Sequence, residues 1–143
     1  MFVLNELQGD LFTSNDNLAH CVSADLKMSK GIAYQFLKRF GCQDELKSQN
    51  KMTGEVAYIV TPDNKYIFYL ITKLKYYQKP TMNSLRVCLN AMKELIKSNS
   101  IKTLSMPRIG CGLDKLNWED VKRLISDVFG DLDLTITVYS LTN

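Results

Sequence analysis

Residues 103–118 read Thr103-Leu-Ser-Met-Pro-Arg-Ile-Gly-Cys-Gly-Leu-Asp-Lys-Leu-Asn-Trp118. The apolar run at 101–106 has the length of a buried strand. Beyond the loop, Trp118, Val121, Leu124, Ile125, Val128 and Phe129 recur at helical spacing, and Asn117 is placed to cap that helix. Strand, glycine-bearing loop and helix form the repeating unit of a parallel sheet covered by helices. Within the loop, Gly110 and Gly112 flank Cys111 and let the backbone approach a ligand closely or take positive φ. Successive exposed N–H groups there would cradle a phosphate, aided by the dipole of the following helix. The same glycines also read as a tight turn before a helix, and the pattern alone does not choose.

Working outward, the same alternation covers the chain. Residues 2–7 are a candidate edge strand, broken at Gly9-Asp10. Residues 18–23 (Leu-Ala-His-Cys-Val-Ser) form a short apolar run that reads as a buried strand. A polar loop over 24–30 ends at Gly31. Ile32, Ala33, Phe36, Leu37 and Phe40 follow at helical spacing, and Gly41 fits the stop. The β-rich runs 55–60 and 66–72 are joined by Thr61-Pro-Asp-Asn-Lys65, which predicts a hairpin. Pro80 suits the start of a long helix whose inner face is Leu85, Cys88, Leu89, Met92, Leu95 and Ile96. Residues 134–141 make a last strand. The expected fold is α/β: a mainly parallel sheet between helices, with one antiparallel hairpin, in a single domain over residues 1–143. In such sheets ligands bind beyond the carboxyl ends of the strands. Three loops, 23–31, 73–79 and 107–114, would then share one rim.

Composition narrows the function. The chain has 143 residues, a net charge of +3, 45% hydrophobic and 23% charged residues. These values fit one globular domain and argue against disorder. No apolar run approaches the ~20 residues of a membrane helix, and the start, MFVLNELQGDLF, lacks the basic and apolar regions of a secretory signal. The four cysteines, Cys21, Cys42, Cys88 and Cys111, form no C-x-x-C pair and meet a single histidine, so zinc spacing is missing. Reduced thiols in nucleus or cytoplasm are expected. The basic stretch Lys73-Leu-Lys-Tyr-Tyr-Gln-Lys79 reads as a solvated loop or as a rim attracting an anionic ligand.

Five side chains invite a chemical reading. Lys73 ends the strand-like run Tyr66-Ile-Phe-Tyr-Leu-Ile-Thr-Lys73, where a lysine is ordinarily solvated. As a nucleophile toward an aldehyde-like carbon it must lose a proton from an amine whose reference pKa is ~10.4. Desolvation or a neighbouring cation such as Lys75 favours that loss; a neighbouring carboxylate could take the proton, although its charge opposes the loss. Asp114 is either such a group or the closing residue of a turn, and Asp10, after Gly9, has the same two readings. His20 lies in an apolar strand and reads as a core imidazole, or as a base for Cys111. A metal-dependent nucleotide hydrolase would call for an acidic cluster that the sequence does not show.

Taken in order, Gly9-Asp10-Leu11-Phe12, Leu18-Ala-His-Cys-Val-Ser23, Tyr69-Leu-Ile-Thr-Lys73, Ser105-Met-Pro-Arg-Ile-Gly-Cys-Gly-Leu-Asp114 and Ile136-Thr-Val-Tyr139 closely resemble the terminal ADP-ribose protein glycohydrolase branch of the macrodomains. The resemblance runs over about residues 7–141. It implies a three-layer α/β/α sandwich with a mixed, mainly parallel sheet, and ADP-ribose in a cleft at the strand ends. It implies an enzyme in which a lysine, here Lys73, attacks the anomeric carbon of the distal ribose and releases a glutamate or aspartate side chain. An aspartate, here Asp114, serves as acid and base and resolves the lysyl–sugar intermediate. Deacylation of O-acyl-ADP-ribose is implied as well. Asp10 matches the adenine-recognising acid and Leu11 its neighbour. Ser23 matches a ligand contact near the distal ribose. Gly31, Ile32 and Ala33 match the first phosphate-side loop. Arg108, Ile109, Gly110, Cys111, Gly112 and Leu113 match the phosphate-holding loop, mainly through backbone groups. Tyr139 and Leu141 match the adenosine end.

The implied chemistry needs no metal or cofactor, and the implied partners are ADP-ribose and ADP-ribosylated proteins. A monomer is expected, without membrane association or direct nucleic-acid binding; nuclear placement is what the family suggests. Two departures stand out. The first loop reads Met28-Ser-Lys-Gly-Ile-Ala33 where the branch has the form M-G-A-G-I-A, so Lys30 either crowds the ligand or adds a charge to its phosphates. Ser23 stands where many other hydrolytic macrodomains carry asparagine. The alternative to an enzyme is a reader that binds ADP-ribose without turnover.

Overall fold

In the computed structural model, residues 1–141 are described. The strands are β1 (Val3–Gln8), β2 (Asn17–Ser23), β3 (Val56–Val60), β4 (Tyr66–Lys73), β5 (Thr103–Pro107) and β6 (Thr135–Ser140). The helices are α1 (Gly31–Phe40), α2 (Gln43–Ser48), α3 (Met82–Ser98) and α4 (Trp118–Phe129), with a 3-10 turn at Leu11–Thr13. They build one six-stranded sheet in the order β1-β6-β5-β2-β4-β3. Every neighbouring pair is parallel except the β3–β4 hairpin.

Alternation along the strands divides the core. Phe68 and Leu70 of β4, Leu104 and Met106 of β5, and Ile136 and Val138 of β6 pack with α3 and α4. Leu18 and Val22 of β2 and Ile67, Tyr69 and Ile71 of β4 pack on the other side with Phe36 of α1 and Leu46 of α2. Both faces are covered, as a parallel sheet requires, and the three layers match expectation. Local signals hold too. The Asn117 side chain accepts from the Asp120 N–H and caps α4. The α3 start differs by two residues: Thr81 and Ser84 form a reciprocal capping box, and Pro80 lies just before it.

Two expectations need correction. Residues 24–30 are not simply polar, because Leu26 and Met28 are each 4% exposed and belong to the α1-side core. Both adopt positive φ, +51° and +46°, which turns single apolar residues inward from a loop. No local sequence signal predicts the short helix α2. It buries only Leu46, so it has no apolar periodicity to detect.

Topology places the site. β2 leads outward to β4 and β3 on one side, while β5 leads to β6 on the other. The β2–β5 ladder is short, pairing only Asn17 with Leu104 and Leu18 with Ser105. Asn17 ties its lower end: Oδ1 accepts from Tyr66 N–H at 2.8 Å and Nδ2 donates to Thr103 O at 3.1 Å. Above it the two strands part, and a crevice opens at the switch point of the strand order.

Candidate active site

The crevice widens into a cleft of about 1330 Å³. All three expected loops line it, together with the turn after β1 and the end of β6.

Lys73 reaches the cleft through an irregularity. Val22 pairs with Ile71, but Ser23 pairs with Lys73, so β4 carries one extra residue, Thr72, at its end. A bulge of this kind re-aims the side chain that follows it. Lys73 Nζ lies 2.6 Å from Asp114 Oδ1, and the two side chains are 13% and 16% exposed. Residues 41 positions apart thus meet across the upper end of β2. The contact is a charge-assisted hydrogen bond along which a proton can pass.

Ser23 borders the cleft but is 4% exposed, and its hydroxyl donates to Asp25 Oδ1 at 2.5 Å. Its proton is therefore committed, and only oxygen lone pairs remain for a ligand. Nothing in the local sequence singles out Asp25, one acid in the loop after β2. It also accepts from Lys27 N–H at 3.2 Å and, through Oδ2, from Tyr76 N–H at 3.0 Å. Burial opposes its charge, but the Ser23, Tyr76 and Lys27 donors and the Lys75 cation outweigh this and hold its carboxyl below the usual range. Asp25 thereby joins the loop after β2 to the loop after β4.

The glycine loop is shaped for close approach. Gly110 has φ +72°, and a Cβ there would stand 2.8 Å from Leu116 Cδ1. Leu116 N–H donates to Gly110 O at 2.8 Å and closes the turn. Gly112 is open and does not share the positive φ. Among the described residues, the N–H groups of Gly112, Leu113 and Asp114 meet no protein acceptor. Opposite, Gly31 has φ +61°, and its missing Cβ would lie 3.2 Å from Leu113 Cδ1. Leu113 therefore spans the cleft from one loop to the other, held from behind by Lys79 Nζ on its carbonyl at 2.9 Å. Gly31, Ile32 and Ala33 open α1, so that helix start faces the cleft, while Lys30 stands exposed at its N-cap.

Other expected residues contribute differently. Ile109 is 2% and Leu11 4% exposed, so their side chains seal the floor. The Arg108 guanidinium lies 5.6 Å over the Trp118 ring and 4.0 Å from Glu6. Hydrogen bonds from Lys122 and Trp118 to Glu6 hold that carboxyl below its usual range. Asp10 Oδ1 accepts from Phe12 N–H at 3.0 Å and caps the 3-10 turn, leaving its exposed carboxylate partly free. Tyr139 packs beside Gly9, and Leu141 is 78% exposed at the end of the wall.

The cysteine–histidine alternative fails on geometry. His20 is fully buried on the α1 side, stacked 3.7 Å from Phe36, whereas Cys111 packs against the α3–α4 side. Burial pushes the His20 imidazole down to about 3 and the Cys111 thiol up to about 11. A neutral thiol is a poor nucleophile. All four cysteines are free. Among the described residues, no three of His, Cys, Asp and Glu are grouped as a metal ion would require.

A six-stranded mixed sheet with its cleft at the β2–β5 switch point and glycine loops facing across it defines a macrodomain. The Macro domain family matches residues 19–125, and the chain belongs to that family. It is 50% identical over 137 residues to the ADP-ribose glycohydrolase OARD1 of Homo sapiens, covering 94% of this chain and 90% of that one; the Bos taurus protein gives the same figures. Among solved structures it is similar to the macrodomain of Thermus aquaticus DarG, with TM-score 0.88, 22% identity, and coverage of 98% and 99%. Thermosipho africanus DarTG in complex with ADP-ribose is also similar, with TM-score 0.84 and 24% identity over 96% of this chain and 41% of that one.

Proposed function

We propose that this chain is a hydrolase that removes ADP-ribose from glutamate and aspartate side chains of modified proteins. By the same chemistry it would deacylate O-acyl-ADP-ribose. The observation that carries the proposal is the 2.6 Å contact between Lys73 Nζ and Asp114 Oδ1 on the cleft wall. The 50% identity to proteins named ADP-ribose glycohydrolase supports it.

In this reading adenine lies toward Asp10 and Tyr139. The phosphates take the free N–H groups of the glycine loop and the start of α1. The distal ribose then rests at Lys73. A proton passes from Lys73 to Asp114, leaving a neutral amine. The Nζ lone pair forms a bond to the anomeric carbon while the ester C–O bond breaks, and the electron pair leaves on the carboxylate. Asp114 gives its proton to the departing group and takes one from the new secondary ammonium. It then returns that proton to Nζ as the C–N bond breaks, and takes another from the water that adds to the anomeric carbon. ADP-ribose leaves, and the proton returns from Asp114 to the Lys73 amine, restoring the starting ion pair. The ester is already activated, so the protein supplies position and a proton path.

Incubation with a glutamate-ADP-ribosylated protein tests this. Wild type should release free ADP-ribose, and Lys73→Ala should bind ADP-ribose but release none. A wild type that binds without release is a reader, and the hydrolase reading fails.

A further inference from the structure

The segment 73–79 has a second side. Away from the main cleft it closes a smaller cavity of about 280 Å³. Lys47 of α2, Lys51 beyond it and Lys75 line this cavity with Met52 and Leu74, which are 57% and 45% exposed. Among the described residues, none of the three ammonium groups has a carboxylate within ion-pair distance. Asp25 also lines the cavity, but its oxygens already accept from Ser23, Lys27 and Tyr76. Because Ser23 borders the main cleft, Asp25 is the partition between the two spaces.

Exposed lysines alone are ordinary, and so are single exposed apolar side chains. Here three unpaired cations rim a concavity that also holds two exposed aliphatic side chains. It begins one residue after the reactive amine. A ligand complementary to it carries negative charge and one apolar group. A single nucleic-acid strand would call for aromatic rings on which bases stack, and this cavity has none.

We propose that this cavity is a subsite for the polypeptide that bears the ester: an acidic segment with one apolar side chain. Flanking carboxylates meet Lys47, Lys51 and Lys75, and the apolar side chain rests on Met52 and Leu74. The proposal rests on the hydrolase reading, because the polypeptide must then leave the main cleft beside Lys73. An extended chain advances ~3.3 Å per residue, so a few residues suffice to cross the Asp25 partition. The subsite would favour modified glutamates within acidic stretches.

The test compares wild type with Lys47→Glu/Lys51→Glu, two exposed positions outside the catalytic pair. The substrates are an ADP-ribosylated peptide with acidic neighbours and one leucine, and O-acetyl-ADP-ribose, which has no polypeptide. The variant should raise KM for the peptide roughly ten-fold, as expected for two exposed ion pairs turned into repulsions. It should leave kcat and both constants for O-acetyl-ADP-ribose unchanged. Met52→Ser should weaken the leucine peptide but not its alanine counterpart. In parallel, fluorescence anisotropy of the unmodified acidic peptide should show binding to wild type that the charge-reversed variant loses. That arm needs no turnover, so it judges the subsite even if wild type hydrolyses neither substrate and the hydrolase reading fails. Equal peptide KM and equal anisotropy in both proteins would overturn the subsite. So would a single-stranded oligonucleotide whose binding is lost in the variant while peptide binding persists.

Discussion

The end of the cleft proposed as reactive draws Lys73 and Ser23 from the ends of β4 and β2, and Asp25 and Asp114 from the loops after β2 and β5. There each side chain holds another: Lys73 with Asp114, Ser23 with Asp25. The end proposed for adenosine is made by the last residues of β1, an edge strand, and of β6 beside it. Its internal ties end on backbone carbonyls: Gly9 N–H donates to Ser140 O at 2.8 Å, and Gln8 Nε2 to Leu141 O at 3.3 Å. The contrast follows from solvent. Groups that exchange protons need a fixed separation, which the burial of Lys73, Asp114 and Ser23 provides. Groups that only recognise can sit where water competes, at about 1 kcal/mol per contact.

Lys73→Arg should separate chemistry from binding. Arginine keeps the cation beside Asp114 but does not lose its proton. ADP-ribose affinity, measured by calorimetry, should change little, while kcat falls by about 10³ or more. Equal losses in both would assign Lys73 to binding.

Beneath the reactive end, β2 depends on a neutral His20. Among the described residues, both ring nitrogens and the hydroxyl of neighbouring Tyr69 lack partners. Burial lowers the folded pKa to about 3 from 6.5. The unfolded chain therefore binds a proton that the folded chain refuses. Stability is complete above pH 6.5 and declines as pH falls toward 3, by about 2 kcal/mol between pH 7 and 5. Urea midpoints across that range should show the loss, and His20→Phe should remove that share of it. An unchanged slope in the variant would place the acid sensitivity elsewhere.

Gly110→Ala tests the shape of the loop. Its φ of +72° and the crowding at Leu116 should cost about 1–2 kcal/mol in thermal or urea unfolding. Gly112→Ala, with open space and no positive φ, should cost much less. At the adenosine end, Asp10→Asn retains an oxygen that caps Phe12 N–H while removing the charge. ADP-ribose binding should weaken by about 1 kcal/mol, roughly five-fold, with saturated kcat unchanged. A fall in kcat would erase the distinction between the two ends.

Much of the architecture was legible because burial leaves periodic marks. The strand–helix alternation, the Thr61–Lys65 turn and the Asn117 cap each follow from local spacing, and the shared rim of three loops follows from parallel strands. What escaped lacks periodicity. α2 offers one buried leucine, Leu26 and Met28 turn inward through positive φ, and Asp25 is distinguished only by donors brought to it from the fold. The site was legible to a lesser degree. Local pattern left Gly110, Lys73 and Asp114 each with a bland alternative. The bulge at Thr72 that helps bring Lys73 to Asp114 depends on register with β2, which no local window contains.

In the proposed mechanism the amine of Lys73 bonds to the sugar and Asp114 completes the turnover. Denaturing mass spectrometry of Asp114→Ala, after exposure to a glutamate-ADP-ribosylated substrate, tests it most directly. An ADP-ribose adduct should map to Lys73. An adduct on Cys111, or an adduct-free variant with wild-type turnover, would contradict it.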